Sequence, residues 1–162
     1  MFFEELKHGL IIFFASMIPA GESRLAIPWG ITIFDMDALP AFAWGVLGNI
    51  AIGAFVLRYL APAMTLVFKH SPFLTKHLKN YFDRLHKKHN EGFNRRGALL
   101  LTTLVAIPLP GTGAWAGAAL AYLFNIPFSL AFPAISFGVA IAATIVTFST
   151  EIVIGIASIL QA

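Results

Sequence analysis

Two charged residues interrupt an apolar stretch near the start of the chain, Glu22 and Arg24 in Pro19-Ala-Gly-Glu-Ser-Arg24. A charge at membrane depth costs about 2.5–3.5 kcal/mol on insertion scales, and such residues tend to mark substrate paths or proton relays. A desolvated carboxyl there is a candidate proton carrier, with Arg24 as an anion contact. The plainer alternative is a turn tip in interfacial water where the two charges simply pair. A second interruption, Pro108-Leu-Pro-Gly-Thr-Gly-Ala-Trp-Ala-Gly117, offers Gly111, Thr112, Gly113 and Trp115. Glycines free several backbone N–H groups to point at one spot, and the half-helix that follows adds its positive end. That combination holds a carboxylate or phosphate without a formal charge. No Gly-Lys-Ser/Thr follows, so this is not a nucleotide-binding loop. The alternative is close helix packing through small residues, Gly113-x-x-x-Gly117 included.

Arg58 and Glu151 are further candidates for a substrate or proton path, each deep in another apolar stretch. Arg58 lies close enough to Lys69 to snorkel, whereas Glu151 is followed by a long apolar run. Asn49, Thr144 and Thr147 read as interhelical hydrogen bonds. His77, His86 and His89 have no Asp or Glu at ligand spacing, so no metal site is expected, and nothing points to a cofactor. The absence of Cys excludes disulfides and thiolate-ligated metals. No nucleophile–base pair, intramembrane aspartate pair or His-Glu-x-x-His is present, so an enzyme is not expected.

The elements that must position these residues are membrane elements. Of 162 residues, 58 % are hydrophobic and 12 % charged, about half the charge of soluble proteins. The mean hydropathy is +0.79. Eleven basic and eight acidic residues cannot cover a soluble globule this apolar. A soluble single-domain enzyme, a disordered tail and a coiled coil are excluded. The start lacks a basic n-region and a small-x-small site, so no cleaved signal peptide is expected.

Apolar stretches run over 9–34, 39–68, 97–124 and 126–161. The second and fourth are long enough to cross a hydrocarbon core of about 20 helical residues. The first and third are broken near their middles into halves that reach only the midplane. Gly48 and Gly138 follow the two breaks at matching distances, so the chain reads as one membrane domain of two inverted repeats, 1–68 and 97–162. Each is a re-entrant helical hairpin plus a full transmembrane helix in an all-α fold. Eight of the basic residues lie between Lys69 and Arg96. They give the connector 69–96 the pattern of a basic amphipathic helix on an anionic leaflet, cytoplasmic by the positive-inside bias. Lys76, Lys79, Arg95 and Arg96 are its lipid-headgroup candidates, and this basicity concerns topology rather than nucleic acid. With hairpins, both termini lie outside. With four ordinary spans, the termini would be cytoplasmic and the halves parallel.

Glu22-Ser-Arg-Leu-Ala-Ile-Pro28 and Pro108–Gly117 resemble the corresponding motifs of the small multidrug export proteins, a family that looks like a compact relative of the DedA/VTT membrane proteins. The resemblance covers nearly the whole chain. It implies two hairpins entering from opposite sides and, in the wider superfamily, proton-linked transport or flipping of lipid phosphates. Glu22 and Arg24 match the charged positions of the first hairpin in type. The larger proteins carry arginines in the second hairpin, where this chain has Thr112 and Trp115, with Arg95 and Arg96 before it.

The function expected is a secondary transporter or lipid flippase of the cell membrane, proton-coupled, moving an anionic or amphiphilic substrate between the hairpin tips. Glu22 would carry the proton, and Arg24 with the Gly111–Gly113 amides would hold an anionic group. The chain is small for two hairpins, so a homodimer is expected. The rival is a non-transporting scaffold or adaptor that binds anionic lipid through residues 71–90. A holin-like pore former fits the size but not the paired breaks.

Overall fold

The computed structural model describes residues 2–19, 21–70, 91–109 and 112–161; the described residues form helices and connecting turns, with no strand. The helices are α1 (Phe2–Ala15), α2 (Glu22–Thr32), α3 (Ala38–His70), α4 (Glu91–Ala106), α5 (Ala114–Leu123) and α6 (Phe128–Leu160). Both interruptions read from sequence are real ends of helix. α1 stops where Ser16 turns its hydroxyl onto the Phe13 carbonyl (2.8 Å), ahead of Pro19, which cannot donate to the ladder. α4 stops before Pro108.

The chain folds back at each break. His8 near the start of α1 stacks on Phe34 beyond the end of α2, ring centroids 4.6 Å apart, and Ile12 lies against Gly30. α1 and α2 are therefore antiparallel. In the same way Val105 of α4 meets Gly117 of α5, and Leu101 shares a buried cluster with Ala121. α1 runs parallel to α3, with Gly9 at Trp44 and Ser16 at Gly48. α4 runs parallel to α6, with Thr102 Oγ1 donating to the Ala134 carbonyl (3.0 Å) and Val105 at Gly138.

α3 and α6 are antiparallel to one another, because Ala41 clusters with Ala143 and Gly53 lies near Ile135. They approach α1 and α4 closely at two glycines. A Cβ on Gly48 would strike the Phe13 carbonyl and the Ser16 hydroxyl, and one on Gly138 would come within 2.8 Å of the Thr102 carbonyl. Both long helices are entered through a left-handed residue, Asp35 (φ 49°) before α3 and Asn125 (φ 52°) before α6, residue types that tolerate that conformation. α2 also packs on α6, and α5 on α3, so the two halves interlock across their second helices.

Ala38–Met64 and Phe128–Leu160 are long and apolar enough to cross a membrane, and only 33 % and 17 % of their most apolar windows are buried inside the fold. A core helix of a soluble protein would be mostly buried. Here Phe55, Leu66, Phe137, Phe148, Ile152 and Leu160 are exposed, which suits a lipid environment. The interior is built of small and β-branched residues, with Val56, Val105, Ala114, Ala118, Ile135 and Val139 forming the largest buried cluster among the described residues.

Two boundaries differ from the sequence reading. Residues 69–70 belong to α3 and 91–96 to α4, because backbone hydrogen bonding continues past the point where apolar residues give way to polar ones. The rest of the connector, 71–90, lies outside the described residues.

Candidate functional site

The two breaks meet, and the charged residues of the first are fitted to the helix ends of the second. Arg24, in the first turn of α2, donates through one guanidinium nitrogen to the Leu109 carbonyl. The other nitrogen reaches Thr112 Oγ1 (3.0 Å) and the carbonyls of Ile107 (3.3 Å) and Val105 (3.4 Å). Val105 lies in the last turn of α4, where carbonyls lack intrahelical partners, and the Ile107 and Leu109 carbonyls just beyond it also accept from the Leu109 and Thr112 N–H groups (2.8 and 3.3 Å). α4 has no basic residue in its own last turn, so Arg24 supplies the positive charge that a helix C-terminus favours. The Thr112 hydroxyl adds a local closure, 2.8 Å from the Ile107 carbonyl and 2.9 Å from that of Leu109.

Glu22 does the converse at the start of α5. It is 4 % exposed, and its carboxylate lies beside the backbone N–H groups of Trp115 and Ala114 and the side chain of Asn49. α5 begins at Gly113 with no side-chain cap of its own, so Glu22 is its anionic cap delivered from another helix. The fit depends on Gly113: a Cβ there would fall on the Glu22 carboxylate. Glu22 holds φ at 50°, a left-handed conformation that costs a residue with a side chain about 1–2 kcal/mol, so the packing around it holds it there. Glu22 and Arg24 influence each other's charge without forming one of the close ion pairs seen among the described residues, which are Glu4 with Lys7 and with His8. The alternative in which they simply pair does not describe the fold.

Two further contacts close the joint. Trp115 Nε1 donates to the Met17 carbonyl at 2.9 Å, so the second break satisfies the first in return. Asn49 Nδ2 donates to Ser23 Oγ at 2.9 Å, and both residues are at most 2 % exposed. Among the described residues three buried side-chain polar atoms lack a partner, Glu22 Oε2, Asn49 Oδ1 and Ser136 Oγ, and the first two belong to this joint.

The candidates read from sequence therefore separate. Glu22, Arg24, Thr112, Gly113 and Trp115 come together. Gly111, Lys76 and Lys79 lie outside the described residues, as does the side chain of Arg95, and Arg96 is exposed near the start of α4. Arg58 and Glu151 are exposed on α3 and α6, away from the breaks, and do not join the cluster. Thr144 and Thr147 bond within α6, to the carbonyls of Ala140 and Ala143 at 2.8 Å each, not between helices as expected. A Thr hydroxyl in a helix reaches the preceding turn without any neighbour. Asn49 does bond between helices, yet it also faces Glu22, which the sequence reading missed. The available signal was its depth, a single amide in the middle of an apolar span level with both breaks.

Beside the joint, α4 and α5 enclose an open apolar groove of about 580 Å³. Leu100, Leu104, Leu120 and Phe124 line its length, and it ends at Ile107 and Thr112, where Arg24 binds. Among the described residues no group of His, Cys, Asp and Glu could hold a metal ion.

No curated relative and no solved structure matches the chain. The sequence model of one family, described as "Putative small multi-drug export protein", matches residues 22–145, from Glu22 through both breaks and into α6. The match takes in every residue of the joint but Met17, and the chain belongs to this family.

Proposed function

We propose that the chain is a multi-pass secondary transporter of the cell membrane, in which proton binding at Glu22 drives export of an amphiphilic, anionic or drug-like molecule. The observation that carries this reading is a buried carboxylate at the seam of the two halves, held by the backbone of one and carried by the other. While charged, Glu22 ties α2 to the N-terminus of α5. A proton removes that attraction and lets one half rock against the other, the usual motion of transporters built from inverted repeats.

Three features support the geometry of such a device. Each break is a fold-back of antiparallel helices, as a re-entrant hairpin requires. α3 and α6 are antiparallel, as inverted halves require. Irregular backbone at membrane depth needs protein or water to satisfy it, and here each break satisfies the other. The apolar groove along α4 and α5 gives the apolar part of a substrate a route from the lipid to Arg24. The same reading takes 71–90 as the cytoplasmic connector and a homodimer as cover for part of the exposed α3 and α6 faces. A monomeric mass in lipid nanodiscs would remove the homodimer.

The test is transport of an amphiphilic dye in proteoliposomes with an imposed pH gradient. Wild type should move dye while the gradient lasts and stop when an ionophore collapses it. Glu22→Gln, reconstituted to the same density, should show no response to the gradient. Equal responses from the two proteins would sink the proton role of Glu22, and no dye movement by wild type under either gradient would sink the transport reading.

A further inference from the structure

The start of α5 has the features of a seat for an anion: first-turn amide groups without intrahelical partners, the positive end of a ten-residue helix, and no cap of its own. It is already filled, by Glu22. We infer that the N-terminus of α5 is an oxyanion-binding seat and that the Glu22 carboxylate is its built-in competitor, leaving when protonated and returning when the anion departs. This rests on the transport reading for its purpose, but the binding equilibrium it describes does not need transport.

Three observations carry it. Glu22 Oε2 is buried and unpartnered although it lies at the helix end, so the carboxylate fills the seat without satisfying itself; a tetrahedral oxyanion offers more acceptor oxygens in more directions than a planar carboxylate. The Glu22 backbone is held in the left-handed region, and leaving the seat lets it relax. The groove along α4 and α5 ends at Thr112, the residue before Gly113, so an amphiphile whose tail lies between Leu104 and Leu120 brings its head to this helix end.

The groups facing Glu22 leave it as the titrating member. On its own helix it faces Arg24, which keeps its charge throughout. α3 contributes the neutral Asn49, and α5 contributes the Ala114 and Trp115 amides; no charged side chain of α1, α3, α5 or α6 appears among the groups acting on it in the described residues. As pH falls, Glu22 loses its charge, competes less and the seat opens. Anion affinity should rise as pH falls, and Arg24 stays to receive the head.

Across the pH range used octyl sulfate keeps one negative charge and inorganic sulfate two, so neither probe titrates. Binding would be read from Trp115 fluorescence in a Trp29→Phe/Trp44→Phe background, on full-length protein in mild detergent. Glu22→Gln should bind octyl sulfate at least tenfold more tightly than wild type at pH 7.5 and show little pH dependence. Wild type should approach the variant as pH drops to 5.5. This second limb needs no mutant and holds even if Glu22→Gln folds poorly. If inorganic sulfate binds as well as the ester, the seat takes a free oxyanion; if only the ester binds, it takes an amphiphile from the groove. Equal affinity of wild type and variant at pH 7.5, or a wild-type affinity flat with pH, would overturn the inference. Anion binding that follows this pattern without dye transport would leave the seat standing and remove the transporter, while proton-driven transport with flat anion binding would do the reverse.

Discussion

The two breaks do the same job with opposite means. The first carries the charged side chains, Glu22 and Arg24, on one turn at the start of α2. The second brings backbone: the carbonyls that end α4 and the amides that begin α5. It contributes no charge among its described residues, only the Thr112 hydroxyl and the Trp115 indole. A helix that breaks and folds back leaves a negative end and a positive end side by side. One cation and one anion two residues apart on a neighbouring helix can meet both. Both charges therefore complement backbone helix ends without forming a close ion pair, and the joint has a protonatable carboxyl without a second one beside it.

The comparison is tested most severely at Arg24. Arg24→Ala should take the charged donor from the Val105, Ile107 and Leu109 carbonyls, leaving the last two only the Leu109 and Thr112 N–H groups and the Thr112 hydroxyl. Removing one partner of a fully buried charged contact costs about 3–5 kcal/mol, and half-exposure lowers the expectation here to about 2–3 kcal/mol. Arg24→Lys should recover only part of this, since an ammonium lacks the planar fork that spans several carbonyls. Thermal unfolding in detergent, followed by tryptophan fluorescence, checks both; a wild-type transition in Arg24→Ala would show that the local N–H and Thr112 donors suffice without Arg24.

Gly113→Ala comes next. The added methyl must displace the Glu22 carboxylate or shift α5, at about 1–3 kcal/mol for overpacking. In Glu22→Ala the obstacle is gone, so the double variant should lose less than the sum of the single ones. Additive losses would mean that the two do not touch in the protein. Trp115→Phe removes the hydrogen bond to the Met17 carbonyl and should cost about 1 kcal/mol, a smaller effect because it loosens the second break's grip on the first without leaving a charge unmatched.

Arg58→Gln and Glu151→Gln complete the series from outside the joint. Both side chains are exposed, and neither change should move stability by more than about 0.5 kcal/mol or alter the pH response of dye transport. An effect as large as that of Gly113→Ala would restore these residues to the site and place a partner over them.

Much of this was legible in the chain. Pro19, Gly21, Pro108 and Gly113 in otherwise apolar runs announce where helices must stop, since proline removes a donor and glycine weakens the helix. Glu22 and Arg24 announce that something polar must meet them at depth. The roles were less legible. Gly111–Gly113 read as an anion contact, but nothing local showed that the Glu22 carboxylate would lie against Gly113. Arg24 was readable as an anion contact, but it faces carbonyls. Asn49 was set aside as a packing hydrogen bond, because nothing local ties a lone amide in α3 to a carboxylate in α2.

What the sequence determined by itself are properties that depend on neighbours along the chain: an apolar surface, two long helices, two broken ones, and the residues at each break. Which break faces which was decided by tertiary structure alone. Charges on α2 select helix ends on α4 and α5 only once α3 and α6 lie antiparallel and bring the breaks to one level, and that alignment rests on contacts such as Ala41 with Ala143 and Gly53 with Ile135, between residues far apart in the chain. Local propensity specifies that a helix must end. Only packing specifies what will meet the end.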